Sequence, residues 1–210
     1  MATATPSGET RIVLANVAWD VYGRLASESR RGGTRLTYDQ GVVEIMSPSC
    51  GHERVKRRMS RMIETITEEL NIPIDSAGST TLKSQLKEKG VEPDECCYIA
   101  NEPRVRGRDD LDLATDPPPD LAIEIDITAS SLDQLAIYSA FGVPEVWLCN
   151  GEKVEFHAIE TDGTYTRRDR SRAFPFLKPA DSERFLALRN ESDETTWIRS
   201  FRQWAGGLKR

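Results

Sequence analysis

The sequence predicts a single α/β domain, a mixed β-sheet with helices on its faces. Three observations carry that expectation. Apolar residues recur at helical spacing through residues 51–70. An apolar run after three prolines, Asp120-Leu-Ala-Ile-Glu-Ile-Asp-Ile-Thr128, is followed by a helical stretch and a second apolar run. Short alternating segments flank them, turning at Asp39-Gln40-Gly41 and Asp162-Gly163. The strand–helix–strand order implies a right-handed crossover and hence a parallel pair, and the hairpins add antiparallel strands.

Along the chain, residues 1–15 read as a flexible tail and residues 16–210 as the domain. A first helix is expected from Asn16, as N-cap, to about Ser29, with Trp19, Tyr22 and Leu25 on one stripe. Arg35 to Met46 reads as a hairpin that stops at Ser47-Pro48. The longest helix, Gly51 to Leu70, carries Val55, Met59, Met62 and Ile66 inward, widened by Ile63 and Leu70. Short strands are expected near 79–82 and 92–99, then a polar connection over 101–116. Pro117-Pro118-Pro119 enforces an extended approach to the next strand. Ser130 or Ser131 can cap a helix through Phe141, which Gly142 stops, and Pro144 to Cys149 gives the parallel partner. Segments 153–159 and 165–170 form a hairpin. A last helix over 192–206 bears Trp197, Phe201 and Trp204, a stripe that is more often core than binding face.

Composition narrows the functional classes. With 38% hydrophobic and 30% charged residues, 210 residues can bury roughly 70% of the unfolded surface without metal or disulfide staples. No apolar run approaches the ~18 residues of a membrane span. The 28 basic and 34 acidic residues leave a net charge of −6, which disfavours duplex binding by bulk charge; any nucleic-acid contact must use a local patch. The start of the chain has neither a basic segment nor an apolar one of signal-peptide type, so a cytoplasmic location is expected. Four cysteines without a Cys-x-x-Cys pair and only two histidines argue against zinc, so a bound metal would have oxygen ligands, which favours Mg²⁺ or Mn²⁺. Phosphate-cradling glycine loops and nucleophile elbows are missing from the sequence.

Chemistry concentrates in the Asp120–Thr128 run. Alternation puts Leu121, Ile123, Ile125 and Ile127 on one face and Asp120, Ala122, Glu124, Asp126 and Thr128 on the other. A strand next to a parallel crossover is normally apolar on both faces. Burying Glu124 and Asp126 within about 7 Å on one face would cost several kcal/mol unless a cation compensates. A second acid, Asp94, opens a strand in Gly90-Val-Glu-Pro-Asp. Asp94 and Glu124 on neighbouring strands would hold one Mg²⁺ or Mn²⁺ together with the carbonyl of Ile125, neutralising charge on a phosphodiester. The alternative is that Asp94 ends a turn and Glu124 faces solvent at a sheet edge. Arg54, Arg57, Arg58 and Arg61 share one helix face, and two readings stay open for them: a solvated surface paired with Glu64 and Glu68, or a rail for phosphates.

Gly90-Val-Glu-Pro-Asp-Glu-Cys-Cys-Tyr-Ile, Pro118-Pro-Asp-Leu-Ala-Ile-Glu-Ile-Asp-Ile-Thr and Ser131-Leu-Asp-Gln-Leu-Ala-Ile-Tyr-Ser-Ala-Phe-Gly-Val-Pro-Glu-Val-Trp147 occur in that order. Together with Trp19, Tyr22, Leu25, Gly41-Val-Val-Glu-Ile-Met-Ser-Pro48 and His52, this set resembles the Uma2 family of bacterial endonucleases over about residues 16–160. That family belongs to the restriction endonuclease-like PD-(D/E)XK superfamily. The resemblance implies a restriction endonuclease-like mixed β-sheet flanked by helices, a divalent-metal site and DNA as substrate. Asp94 matches the acid of the Pro-Asp element and Glu124 that of the (D/E)XK element. Asp126 stands where the lysine is usual, and Gln134 stands where members of the family carry that lysine on the following helix. A glutamine amide orients a water but supplies no charge, which makes a slow enzyme or a degenerate, binding-only relative the rival reading. Lys83 is a candidate substitute, and Glu44 and His52 are candidates to complete the metal or water shell. By analogy, two-strand cutting would favour a homodimer.

Overall fold

The computed structural model describes residues 9–29, 33–127 and 130–209. Eleven strands form among them: β1 (Thr10–Leu14), β2 (Arg35–Asp39), β3 (Val42–Ser47), β4 (Asp75–Gly78), β5 (Leu82–Ser84), β6 (Lys89–Val91), β7 (Glu95–Tyr98), β8 (Leu121–Ile125), β9 (Glu145–Cys149), β10 (Val154–Ile159) and β11 (Tyr165–Arg168). The α-helices are α1 (Trp19–Ser29), α2 (Cys50–Leu70), α3 (Glu102–Val105), α4 (Gln134–Phe141), α5 (Pro179–Ala187) and α6 (Glu194–Gly206).

Six strands make the main sheet, in the order β11-β10-β9-β8-β7-β4. It is mixed: β8 and β9 run parallel and its other pairs antiparallel. The α4 crossover produces the parallel pair, as the Asp120–Cys149 segment predicts. Leu121, Ile123, Ile125, Trp147 and Phe156 point to one face and pack under α2, α5 and α6. Burial of side chains of this size contributes about 1.5–3 kcal/mol each. The opposite face, with Cys96, Ala122 and Val146, packs on Ile137, Tyr138 and Phe141 of α4. All five residues of β8 are buried, as a strand covered on both sides requires.

A second sheet, β1-β3-β2-β6-β5, is wholly antiparallel. Sequence reading expected one sheet; the short β5 and β6 and the edge strand β1 build another. Its Leu82 and Val91 join the core beneath α4, and its outer face is covered by Tyr22 and Ala26 of α1 against Leu36, Tyr38 and Val43. The domain is thus α/β, layered as helices, main sheet, then α4 with the smaller sheet, then α1.

Several local expectations need correction. Thr10–Leu14, inside the expected tail, pairs along β3 from Thr10↔Ser47 to Leu14↔Val43; residues 1–8 lie outside the described residues. Asn16 is not the N-cap of α1, because it sits in the left-handed region at φ 58°, whereas a cap needs extended dihedrals. The Val17 N–H donates to the carbonyl of Gly41 (2.9 Å), tying this segment to the β2–β3 turn, and Ala18 takes the first helical hydrogen bond, from Tyr22. Asp133, rather than Ser130 or Ser131, caps α4 by accepting from the Ala136 N–H at 3.0 Å. Gly142 ends that helix at φ 74°, as expected. Among the described residues no helix is long and apolar enough to cross a membrane.

Candidate active site

The site forms where β7, β8, α2, α4 and the small sheet meet. Strand β7 pairs with β8 through Glu95↔Ile123, and one further step of that antiparallel register sets Asp94 opposite Glu124. Glu124 lies on the face covered by α4, while the Asp94 carboxylate reaches along the sheet edge toward β8 and α2. Asp94 is 1% exposed and Glu124 4%. The ladder is continued by a side chain: Oδ2 of Asp94 accepts the Ile125 N–H at 2.8 Å. Glu124 accepts through Oε1 from the hydroxyl of Tyr138, one turn beyond Gln134 on α4. Its other oxygen has no hydrogen bond among the described residues. Burial first, and Asp94 second, push the Glu124 carboxyl well above the usual range, against the opposing hydrogen bond of Tyr138.

Charged groups from three other elements close around this pair. Ser49 caps α2 by accepting from the His52 N–H (3.1 Å), which fixes the first turn and aims the fully buried His52 at Asp94. Its Nε2 lies 2.7 Å from Asp94 Oδ1 and its Nδ1 lies 2.5 Å from Glu9 Oε1. Arg11 of β1 donates to Glu44 of β3 at 2.6 Å and to Asp126 at 3.0 Å, and also reaches Glu9 at 3.2 Å. Glu44 further accepts from the Ser130 hydroxyl (2.9 Å) and the Ser131 N–H (2.7 Å), anchoring the entry to α4. Arg35, on β2, holds Nε 3.7 Å from Asp94 Oδ1. Among the described residues, five carboxylates, those of Glu9, Glu44, Asp94, Glu124 and Asp126, have Arg11, Arg35 and His52 as neighbouring cations. Among these described residues, carboxyl groups outnumber cationic side chains even with the imidazole protonated.

The candidate residues thus fall into three groups. Asp94, Glu124, His52, Glu44 and Asp126 are brought into one network. Asp126 is its rim, with a side chain 31% exposed, and burial raises its carboxyl against the pull of Arg11. Gln134 is half-buried on the first turn of α4 and its amide makes no hydrogen bond among the described residues. Lys83 does not join the network: it is exposed, and strand alternation turns it away from the face on which Leu82 enters the α4 core. The arginine stripe splits. Arg61 pairs with Glu194 of α6 at 2.6 Å and Arg58 lies 5.8 Å over the ring of Trp197, while Arg54 and Arg57 are exposed.

Glu9, Arg11 and Arg35 are absent from the sequence-derived candidates. A usable signal existed for two of them: Thr10-Arg-Ile-Val-Leu14 is rich in β-branched residues, the composition of a strand, although nothing in it names the partner strand.

Carboxylate oxygens are donors of the kind that a hard divalent cation takes. Among the described residues no three His, Cys, Asp or Glu side chains converge as a metal cage. Two neighbouring buried carboxylates remain, one with an oxygen that makes no hydrogen bond among the described residues, and Mg²⁺ characteristically binds through one or two carboxylates while keeping several waters. The elevated Glu124 carboxyl marks the same place electrostatically, since a buried acid pair calls for either a proton or a cation.

A mixed sheet flanked by helices, with a parallel β8–β9 pair joined through α4, is a restriction endonuclease-like architecture. The chain belongs to the Uma2 family, described as "Putative restriction endonuclease", whose model matches residues 19–188. No curated protein matches the chain. The family points to nuclease function.

Proposed function

We propose that the protein is a metal-dependent endonuclease that hydrolyses DNA phosphodiester bonds, with Mg²⁺ or Mn²⁺ held by Asp94 and Glu124. The observation that carries this reading is the closeness of two buried carboxylates at the β7–β8 junction, Asp94 accepting the N–H of Ile125 next to Glu124 and acting on the Glu124 carboxyl. A divalent ion bound there would neutralise charge on the scissile phosphate and favour ionisation of the attacking water.

The chain's own residues prepare the site. The Ile125 N–H and the His52 ring fix both oxygens of Asp94, so the carboxylate is oriented before anything binds. Tyr138 holds one oxygen of Glu124 and leaves the other for a ligand. His52, clamped between Glu9 and Asp94, supplies positive charge that offsets the acid cluster when protonated. Arg35 adds a second cation on the Asp94 side. Gln134 replaces the usual ammonium with an amide, which orients a water by hydrogen bonding but contributes no charge to the transition state.

Nicking of supercoiled plasmid by the full chain in Mn²⁺ tests the reading. Wild type should nick and Glu124→Ala should not; nicking that survives the substitution sinks the site. Gln134 also favours a second reading, a degenerate member that binds nucleic acid without cutting it. That reading predicts Mn²⁺ binding by calorimetry, lost in Asp94→Ala, with no nicking at all.

A further inference from the structure

A cavity of about 500 Å³ is lined by α2 and by the segments that follow β8 and β9, and its charge is opposite to that of the acid network. Two of its walls are chain neighbours of the site: Gly51 precedes His52 on α2, and Ile127 follows Asp126 after β8. Consecutive Cα atoms lie about 3.8 Å apart, so the cavity borders the same network from the carboxyl end of the parallel strands. Three arginines, Arg54, Arg58 and Arg189, line it against one acid, Glu152. In a chain of net charge −6 this is a local reversal of sign.

Two of those guanidinium groups are held in place. Arg189 donates to the carbonyls of Gly151 (2.7 Å) and Leu186 (3.1 Å). Arg58 lies over Trp197 and donates to the Arg54 carbonyl at 3.3 Å, while its buried Nε has no acceptor among the described residues. A buried donor left unpaired costs free energy that an incoming anion can recover. Asn150 uses its amide oxygen for the Glu152 and Lys153 N–H groups (3.0 and 2.8 Å), which leaves its NH₂ as the group available to a ligand. Arg54 is exposed and makes no side-chain hydrogen bond or ion pair among the described residues. Donors without acceptors, fixed arginine forks and low local acidity are what a phosphate group requires.

We propose that this cavity is a phosphate pocket that takes a backbone phosphate of the DNA strand flanking the one to be cleaved. Its ligand rests on the nuclease reading above; its charge and geometry do not. The same chemistry would accept free phosphate, and the experiment separates the two sources.

The test is fluorescence anisotropy of a short fluorescein-labelled DNA duplex with the full chain in EDTA, so that binding is read without cleavage. Arg54→Ala and Arg189→Ala should each weaken binding about three- to tenfold at low salt and reduce the salt slope by about one, while Arg24→Ala, on α1, stays at the wild-type value. Arg189 also ties down two carbonyls, so Arg54→Ala decides alone if the Arg189 variant melts early. Duplex affinity within about twofold of wild type for Arg54→Ala overturns the pocket, as does no duplex binding by wild type. Inorganic phosphate that binds by calorimetry without displacing the duplex shows a free-anion site and overturns it too. Plasmid nicking in Mn²⁺ keeps the two ideas apart. Nicking that depends on Glu124 beside duplex binding indifferent to Arg54 removes the pocket alone. Binding that depends on Arg54 without any nicking removes the nuclease reading alone.

Discussion

Nε2 of His52 lies 2.7 Å from Oδ1 of Asp94 while Nδ1 lies 2.5 Å from Oε1 of Glu9, so one buried imidazole bridges two carboxylates drawn from distant parts of the chain. Ionised carboxylates only accept, so both ring nitrogens donate, which is the imidazolium form. Burial works against that charge, but the hydrogen bonds and charges of Asp94 and then Glu9 outweigh it, and the His52 pKa is raised. A raised folded-state value means that the proton stabilises the fold fully below the unfolded value of about 6.5 and that this stability is lost as pH rises through the folded value. Thermal melts of the metal-free protein in EDTA should therefore fall on going from pH 6 toward alkaline pH, and His52→Gln should flatten that fall. An equally steep decline in the variant would place the titration elsewhere.

Glu124 should show stability and activity moving in opposite directions. Its carboxyl is raised by burial and then by Asp94, so in the metal-free protein ionisation costs stability from about pH 4.5 upward, the same sign as His52 but an earlier onset. Glu124→Gln removes that cost and retains an acceptor for Tyr138, so at pH 8 in EDTA the variant should melt higher than wild type. Nicking should drop by at least about a hundredfold, since loss even of outer-shell partners of metal ligands costs 10- to 100-fold. A variant that melts lower in EDTA would mean that the acid pair is not the strained element.

Gln134→Lys tests whether the departure from the family pattern limits the rate. The residue sits one turn before Tyr138, whose hydroxyl touches Glu124, and it is half-buried with an amide that makes no hydrogen bond among the described residues. An ammonium placed at that point should raise the nicking rate by about two to three decades, the scale of one positioned transition-state donor. An unchanged rate in a variant that melts normally would show that position 134 does not face the reacting phosphate.

What could be seen in the sequence divides by range of interaction. The α2 stripe of Val55, Met59, Met62 and Ile66 is buried as its spacing requires, because helix periodicity is local. Glu124 stands out because an acid interrupts a run that ought to be apolar, Asp94 because a Pro-Asp opens the neighbouring strand, and the hairpin register around Asp39-Gln40-Gly41 follows from turn chemistry. The surroundings of the acids were hidden for the opposite reason. Arg11 meets Glu44 across 33 residues and Asp126 across 115, and His52 meets Glu9 across 43. Such partners depend on which edge β1 joins, and a five-residue strand beside an expected tail carries no periodicity that names its neighbour. The split of the arginine stripe is likewise tertiary, since α6 covers the side bearing Arg58 and Arg61.

Tyr22 and Gly90 offer a test of the small sheet that is independent of catalysis. Tyr22 of α1 is fully buried and stacks on Tyr38 with ring centroids 4.8 Å apart. It lies so close to β6 that a Cβ at Gly90 would fall 2.1 Å from its hydroxyl and 2.6 Å from Cζ. Those contacts are with a rigid ring hemmed in by Trp19 and Tyr38, so rotation of a flexible tip cannot relieve them. Gly90→Ala should therefore cost at least about 1–3 kcal/mol, the usual penalty of overpacking, read as a lower denaturation midpoint in urea. Tyr22→Phe should be neutral or stabilising, because the hydroxyl is buried without a hydrogen-bond partner among the described residues and its removal forfeits nothing. The double variant should stay close to Gly90→Ala, since the ring carbon still blocks the new methyl. A midpoint restored to wild type in the double variant would mean that the hydroxyl alone made the clash and that α1 sits further from β6 than described.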